Sequence, residues 1–110
     1  MSSRRIWYAL GWLAVLAHAG TACGAASRAQ RYEVDIRNLN FVPDTLVVAK
    51  GDTVAWTNHD IVPHTVTADR EWDSGAVPNG GTFTWVATRA GALRYRCAYH
   101  PTMVASVTIR

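Results

Sequence analysis

Cysteine and methionine are scarce in this 110-residue chain, with two of each. Cys23 and Met1 fall in an N-terminal stretch that reads as a removable leader, which leaves the body one thiol, Cys97, and one thioether, Met103. A body with a single cysteine cannot close an internal disulfide, the usual staple of small exported domains. Clustered Lys and Arg are also missing, so no nucleic-acid surface is indicated. Past residue 26 there is no sustained 3.6-residue period, no internal repeat and no linker. Those absences argue against a helical bundle and against a second domain, and the length suits one domain.

In the leader, Arg4 and Arg5 form a charged start, Ile6 to Ala17 a mostly apolar run, and small residues continue to Ala26. This is the pattern of a secretory signal peptide over residues 1–26, with 27–110 as the mature domain. The apolar run is short for a permanent membrane span. Cleavage after Ala19 and cleavage after Ala26 both fit. Ser3-Arg4-Arg5-Ile6-Trp7 resembles a twin-arginine export signal. Thr21-Ala22-Cys23-Gly24 resembles a bacterial lipoprotein cleavage site, but Gly20 stands where lipoproteins usually carry Leu. Cys23 is therefore expected to leave with the signal, and a lipid anchor at Cys23 is the alternative. The expected location is the periplasm. Without Arg4 and Arg5, eleven basic residues become nine against eight acidic ones, a net charge of +1.

What the body does contain is alternation. Tyr32, Val34 and Ile36 are interleaved with Glu33, Asp35 and Arg37, the period-2 signature of a half-buried strand. Thr45 to Ala49, Thr53 to Asn58, Thr82 to Val86, Leu93 to Arg96 and Val104 to Ile109 read as further strands, separated by turn signals such as Lys50-Gly51-Asp52 and Pro78-Asn79-Gly80-Gly81. The pattern is lost from Ala68 to Gly81. Six or seven short, closely spaced strands indicate an all-β, antiparallel β-sandwich or barrel.

The chemistry-bearing residues concentrate in Cys97-Ala98-Tyr99-His100-Pro101-Thr102-Met103, between two of these strands. A tight loop can turn its thiol, imidazole and thioether toward one point. Soft sulfur donors with imidazole favour copper, and two His, one Cys and a weak axial Met make the blue-copper electron-transfer geometry. His64 is the candidate for the second imidazole, and His59 reads as a surface residue. A lone thiol in an oxidising compartment also needs something to tie it up, and a metal does so. Zinc is the rival metal, but it would leave Met103 unused, and no carboxylate lies within 97–103. A Cys–His nucleophilic enzyme is the second rival, although Cys97 falls on the inward register of a strand rather than at an exposed helix start.

These residues resemble the cupredoxin family, in particular its amicyanin and plastocyanin branch. The resemblance covers nearly all of 32–110 and rests on Phe41-Val42-Pro43-Asp44-Thr45-Leu46, Gly51-Asp52-Thr53-Val54-Ala55-Trp56-Thr57-Asn58, Pro63-His64-Thr65-Val66, and Gly91 with Tyr95-Arg96-Cys97. The Cys-x2-His-x2-Met spacing is similar to that of amicyanin. It implies an eight-stranded Greek-key β-sandwich with a type 1 copper centre, in which His64, Cys97 and His100 are the equatorial ligands and Met103 the axial one. It further implies a monomeric electron carrier rather than an enzyme, serving redox proteins such as a c-type cytochrome or a dehydrogenase or oxidase. Electrons would pass at the edge of His100, ringed by Ala98, Pro101, Thr102 and Val62. Copper storage or delivery is the alternative function. The family often has Asn directly after the first ligand His, tying the two ligand loops together; this chain has Thr65, whose hydroxyl reaches less far.

Overall fold

The computed structural model describes residues 28–110; the leader at 1–26 and Cys23 lie outside the described residues. Nine strands occur among the described residues: β1 (Arg31–Arg37), β2 (Asn40–Val42), β3 (Thr45–Val48), β4 (Thr53–Asn58), β5 (Thr67–Ala68), β6 (Trp72–Asp73), β7 (Thr82–Val86), β8 (Gly91–Cys97) and β9 (His100–Ile109). They form two sheets, ordered β2-β1-β4-β7 and β3-β9-β8-β5-β6. The all-β sandwich is as expected, but its pairing is mixed. β1 runs parallel to β4, and β3 runs parallel to β9. Alternation within a strand fixes which face is buried, while the direction of its neighbour depends on chain crossings that a single strand does not encode.

The inward faces follow the alternation. Val34 and Ile36 of β1, Tyr95 and Cys97 of β8, and Met103, Ala105, Val107 and Ile109 of β9 are buried, and the residues between them, polar except for Val104, turn outward. Trp56 of β4 is fully buried at the centre. Its ring lies 5.4 Å from that of Tyr95 and 5.8 Å from that of Phe83, and Phe41 meets Tyr95 edge-on at 4.8 Å. Offset and edge-on contacts of this kind suit the ring quadrupoles and lock the two sheets together. Burial pushes the Tyr95 phenol up to about 12.

At the end of the sandwich remote from His100, Asp52 is buried in the β3–β4 turn. Its carboxylate accepts the backbone N–H of Gln30 at 2.8 Å and of Ala49 at 2.7 Å. The Gln30 and Ala49 bonds hold its pKa below the ordinary value, against the opposing effect of burial. The stretch without a sequence pattern, 68–81, contributes the second residue of β5 and the whole of β6 and then crosses back to β7.

Candidate metal centre

β8 carries Cys97 to the end of its strand. A two-residue turn, Ala98-Tyr99, then reverses the chain, and β9 begins at His100, which pairs with Cys97. The expected loop of 97–103 is thus mostly strand. The register shifts between Arg96 and Cys97, and that irregularity re-aims the last residues of the ladder. Along β9 the alternation then turns Met103 inward, where it is buried in the same cluster as Cys97.

His64 comes from the connection between the two sheets, at the end of the 59–64 loop that leaves β4. Asn58 sets the shape of that loop. Its buried side-chain amide donates to the carbonyls of Val62 (2.9 Å) and Val77 (3.0 Å), and its oxygen accepts the N–H of Asp60 (2.9 Å). His64 then pairs with Val77 through both of its backbone groups. The result is a wholly buried imidazole facing the sulfur, with Nδ1 of His64 3.6 Å from Sγ of Cys97. One ring nitrogen each of His64 and His100 and the Cys97 sulfur lie within 4.8 Å of one another, the one such donor group among the described residues. The two imidazole rings are 5.1 Å apart and tilted by 58°. His64 and Cys97 are fully buried and His100 is half-buried.

Three contacts fix this geometry from behind. The N–H of Thr65 points at the Cys97 sulfur at 3.3 Å, and the Thr65 hydroxyl accepts the N–H of Ala98 at 2.7 Å. A carboxylate oxygen of Asp60 meets Nε2 of His64 at 2.8 Å. Burial works to raise the Asp60 pKa, but the Leu39 N–H, the His64 ring and the Asn38 N–H outweigh it and hold the carboxyl below its ordinary value. An ionised carboxylate only accepts, so the proton of this contact belongs to Nε2, and Nδ1 is the ring nitrogen that faces Cys97. Sequence reasoning did not single out Asp60; the available signal was a carboxylate four residues before the candidate histidine. His59 stands apart from the donor group, with its Nε2 2.9 Å from Asp35 on the surface.

Residues 29–110 match the family described as copper binding proteins, plastocyanin/azurin family. The chain belongs to that family. Among solved structures, a Met-to-Ala variant of amicyanin in its Cu(I) form is similar with a TM-score of 0.70 and 26% identity, covering 73% of this chain and 82% of that one. An oxidized Pro-to-Ala variant of amicyanin gives the same TM-score, 0.70, and the same coverage at 27% identity. This cupredoxin is therefore a copper-binding protein, and its donor set fits one copper ion. Two imidazoles and a thiol converge, the Met103 side chain is buried in the same core cluster as Cys97, and the Asp60 carboxylate contacts the His64 ring at its other nitrogen.

Beside His100 the surface of this cupredoxin opens into a groove of about 460 Å3 lined by Asn38, Leu39, His59, Asp60, Ile61, Val62 and His100. The sequence pointed to Val62 here; Leu39 and Ile61 are additions, and Ile61 is 93% exposed. Leu39, Ile61 and Val62 together leave an exposed apolar patch along this groove.

Proposed function

We propose that this chain is a type 1 (blue) copper protein that carries single electrons between redox partners. In this reading His64, Cys97 and His100 are the equatorial ligands and Met103 is the axial ligand. The observation that carries it is the meeting of His64, from the loop between β4 and β5, with Cys97 of β8 and His100 of β9, all within 4.8 Å. Bound copper supplies a one-electron Cu(I)/Cu(II) couple. The protein supplies the rest. Strands β8 and β9, the Thr65 contacts and the Asn58-braced loop hold the donors in place, so little can rearrange when charge changes. Burial of His64, Cys97 and Met103 keeps water from most of the site, which supports a carrier over an enzyme.

The half-buried His100 edge and the apolar groove beside it are the proposed docking surface for redox protein partners. Interfaces between such partners are small and short-lived, which suits a patch of this size without strong charge steering. A c-type cytochrome or a dehydrogenase or oxidase fits that description. Residues 1–26 are proposed as a cleaved export signal, with 27–110 working as a monomer in the periplasm.

Titration of the mature protein with Cu(II), followed by visible absorption and EPR, tests this. One equivalent should give an intense thiolate-to-copper band with a narrow copper hyperfine splitting. A pale product that a chelator strips readily would overturn the type 1 reading in favour of copper storage or delivery.

A further inference from the structure

The carboxylate of Asp60 serves two parts of the molecule at once. Oδ2 meets Nε2 of His64 at 2.8 Å and accepts the backbone N–H of Leu39 at 3.0 Å; Oδ1 accepts the N–H of Asn38 at 2.7 Å. Asn38 and Leu39 form the turn between β1 and β2, and both have left-handed backbones, with φ of 50° and 61°. That conformation is costly for a leucine. A turn that adopts it needs anchoring from outside, and Asp60 gives it two hydrogen bonds. The same turn forms a wall of the apolar groove beside His100.

We propose that Asp60 is a positioning residue that fixes the His64 ring and couples the metal centre to the docking groove through the Asn38–Leu39 turn. The proposal rests on His64 being a copper ligand. An anionic acceptor on Nε2–H orients the imidazole and makes its other nitrogen a stronger donor. A stronger donor favours the more highly charged Cu(II) state and lowers the reduction potential. Coupling runs both ways. A partner bearing on Leu39 moves the carboxylate against His64, and a change of charge at His64 is felt at the two turn amides. Three N–H groups converge on two oxygens, an arrangement that asparagine cannot reproduce. Its amide has one accepting oxygen and turns an NH2 group toward at least one donor.

The test compares wild type with D60N and D60E. In the metal-free protein, nitrogen NMR of the His64 side chain should show a proton on Nε2 and none on Nδ1. Exchange of that proton with water should speed up roughly tenfold or more in D60N, the factor implied by losing a hydrogen bond to a charged group, and fall back in D60E. With copper bound, D60N should keep the visible band but show a raised midpoint potential, and D60E should move back toward wild type. Loading wild type with Cu(I) should shift the Asn38 and Leu39 amide resonances, and D60N should abolish that response. A D60N protein that unfolds more easily while His64 exchange, potential and the turn-amide response stay unchanged would make Asp60 merely structural. Should D60N not fold, the wild-type amide response decides: its absence overturns the coupling. Pulsed EPR of Cu(II)-loaded wild type reads the His64 nitrogen separately. Its absence overturns the ligand assignment and this proposal together, whereas its presence beside an indifferent D60N overturns this proposal alone.

Discussion

Thr65 and Ala98 join the two donor loops across 33 residues of sequence, the Thr65 hydroxyl accepting the Ala98 N–H at 2.7 Å. The shorter reach of a hydroxyl is thus no obstacle here, because the Ala98-Tyr99 turn brings its first N–H to the threonine. Thr67 adds a second bond, its hydroxyl donating to that of Thr65 at 2.9 Å. Thr65→Val keeps the shape and removes the acceptor. Urea unfolding of the metal-free protein should show a loss of about 0.5–1.5 kcal/mol, the usual net worth of one hydrogen bond, here part-buried. The copper EPR lines should also broaden as Cys97 loses its fixed orientation. Unchanged stability and spectra would mean that the strands alone position Cys97.

Cys97→Ser should abolish the intense visible band while leaving the strand content unchanged by circular dichroism, because serine is close in size. Metal should also stabilise the wild-type fold, since it would tie the loop that carries His64 to strands β8 and β9. At free copper about a hundred times the dissociation constant, the expected gain is ~2.7 kcal/mol. Calorimetric scans with and without a chelator would read this as a shift in Tm. Equal shifts in C97S and wild type would show that the stabilising copper binds elsewhere.

Ile61→Asp places a charge on the groove at a residue that makes little packing contact, being 93% exposed. Stability should change by no more than about 0.5 kcal/mol, as for most surface substitutions. The visible spectrum should be unchanged, and electron exchange with a redox partner should slow, measured by stopped-flow. Normal exchange would place the docking surface elsewhere.

Asp52 predicts part of the acid limb of stability. Its folded pKa lies below its ordinary value of 3.8, so the folded state holds the carboxylate in its charged form more strongly than the unfolded chain does. That contribution is fully present above the ordinary value and is lost as pH falls through the depressed folded pKa. Urea midpoints measured from pH 5 to pH 2 should fall, and Asp52→Asn, which starts lower at neutral pH, should fall less steeply. Parallel curves for the two proteins would contradict this role.

How much of this the sequence revealed depends on the range of the interactions involved. Tyr32, Val34 and Ile36, and later Leu93, Tyr95 and Cys97, announce their buried faces because alternation is a local property. The candidate donors stood out because the body has one thiol and one thioether, both close to His100. Two kinds of feature stayed hidden. The parallel partnerships of β1 with β4 and of β3 with β9 depend on the path of the whole chain, and strands as short as Thr67–Ala68 carry no pattern. The groove joins Leu39 to Ile61 and His100, and Asp60 reaches from Asn38 to His64. Such contacts bridge segments that say nothing of one another in the linear chain. The loop of 97–103 was half legible: its donors were evident, but the pairing that starts β9 at His100 was not.

β9 lies between β3 and β8 and is hydrogen-bonded to both. Neither neighbour can complete its ladder until Ile109 has been made, so this sheet forms only once the whole of β9 is available. The strand that closes the sandwich also delivers His100 and Met103. Before it docks, the protein has neither a finished core nor a full set of donors, and the same late step completes both. Copper capture is thereby tied to the end of folding, and a partly made or partly threaded chain offers the metal no finished site.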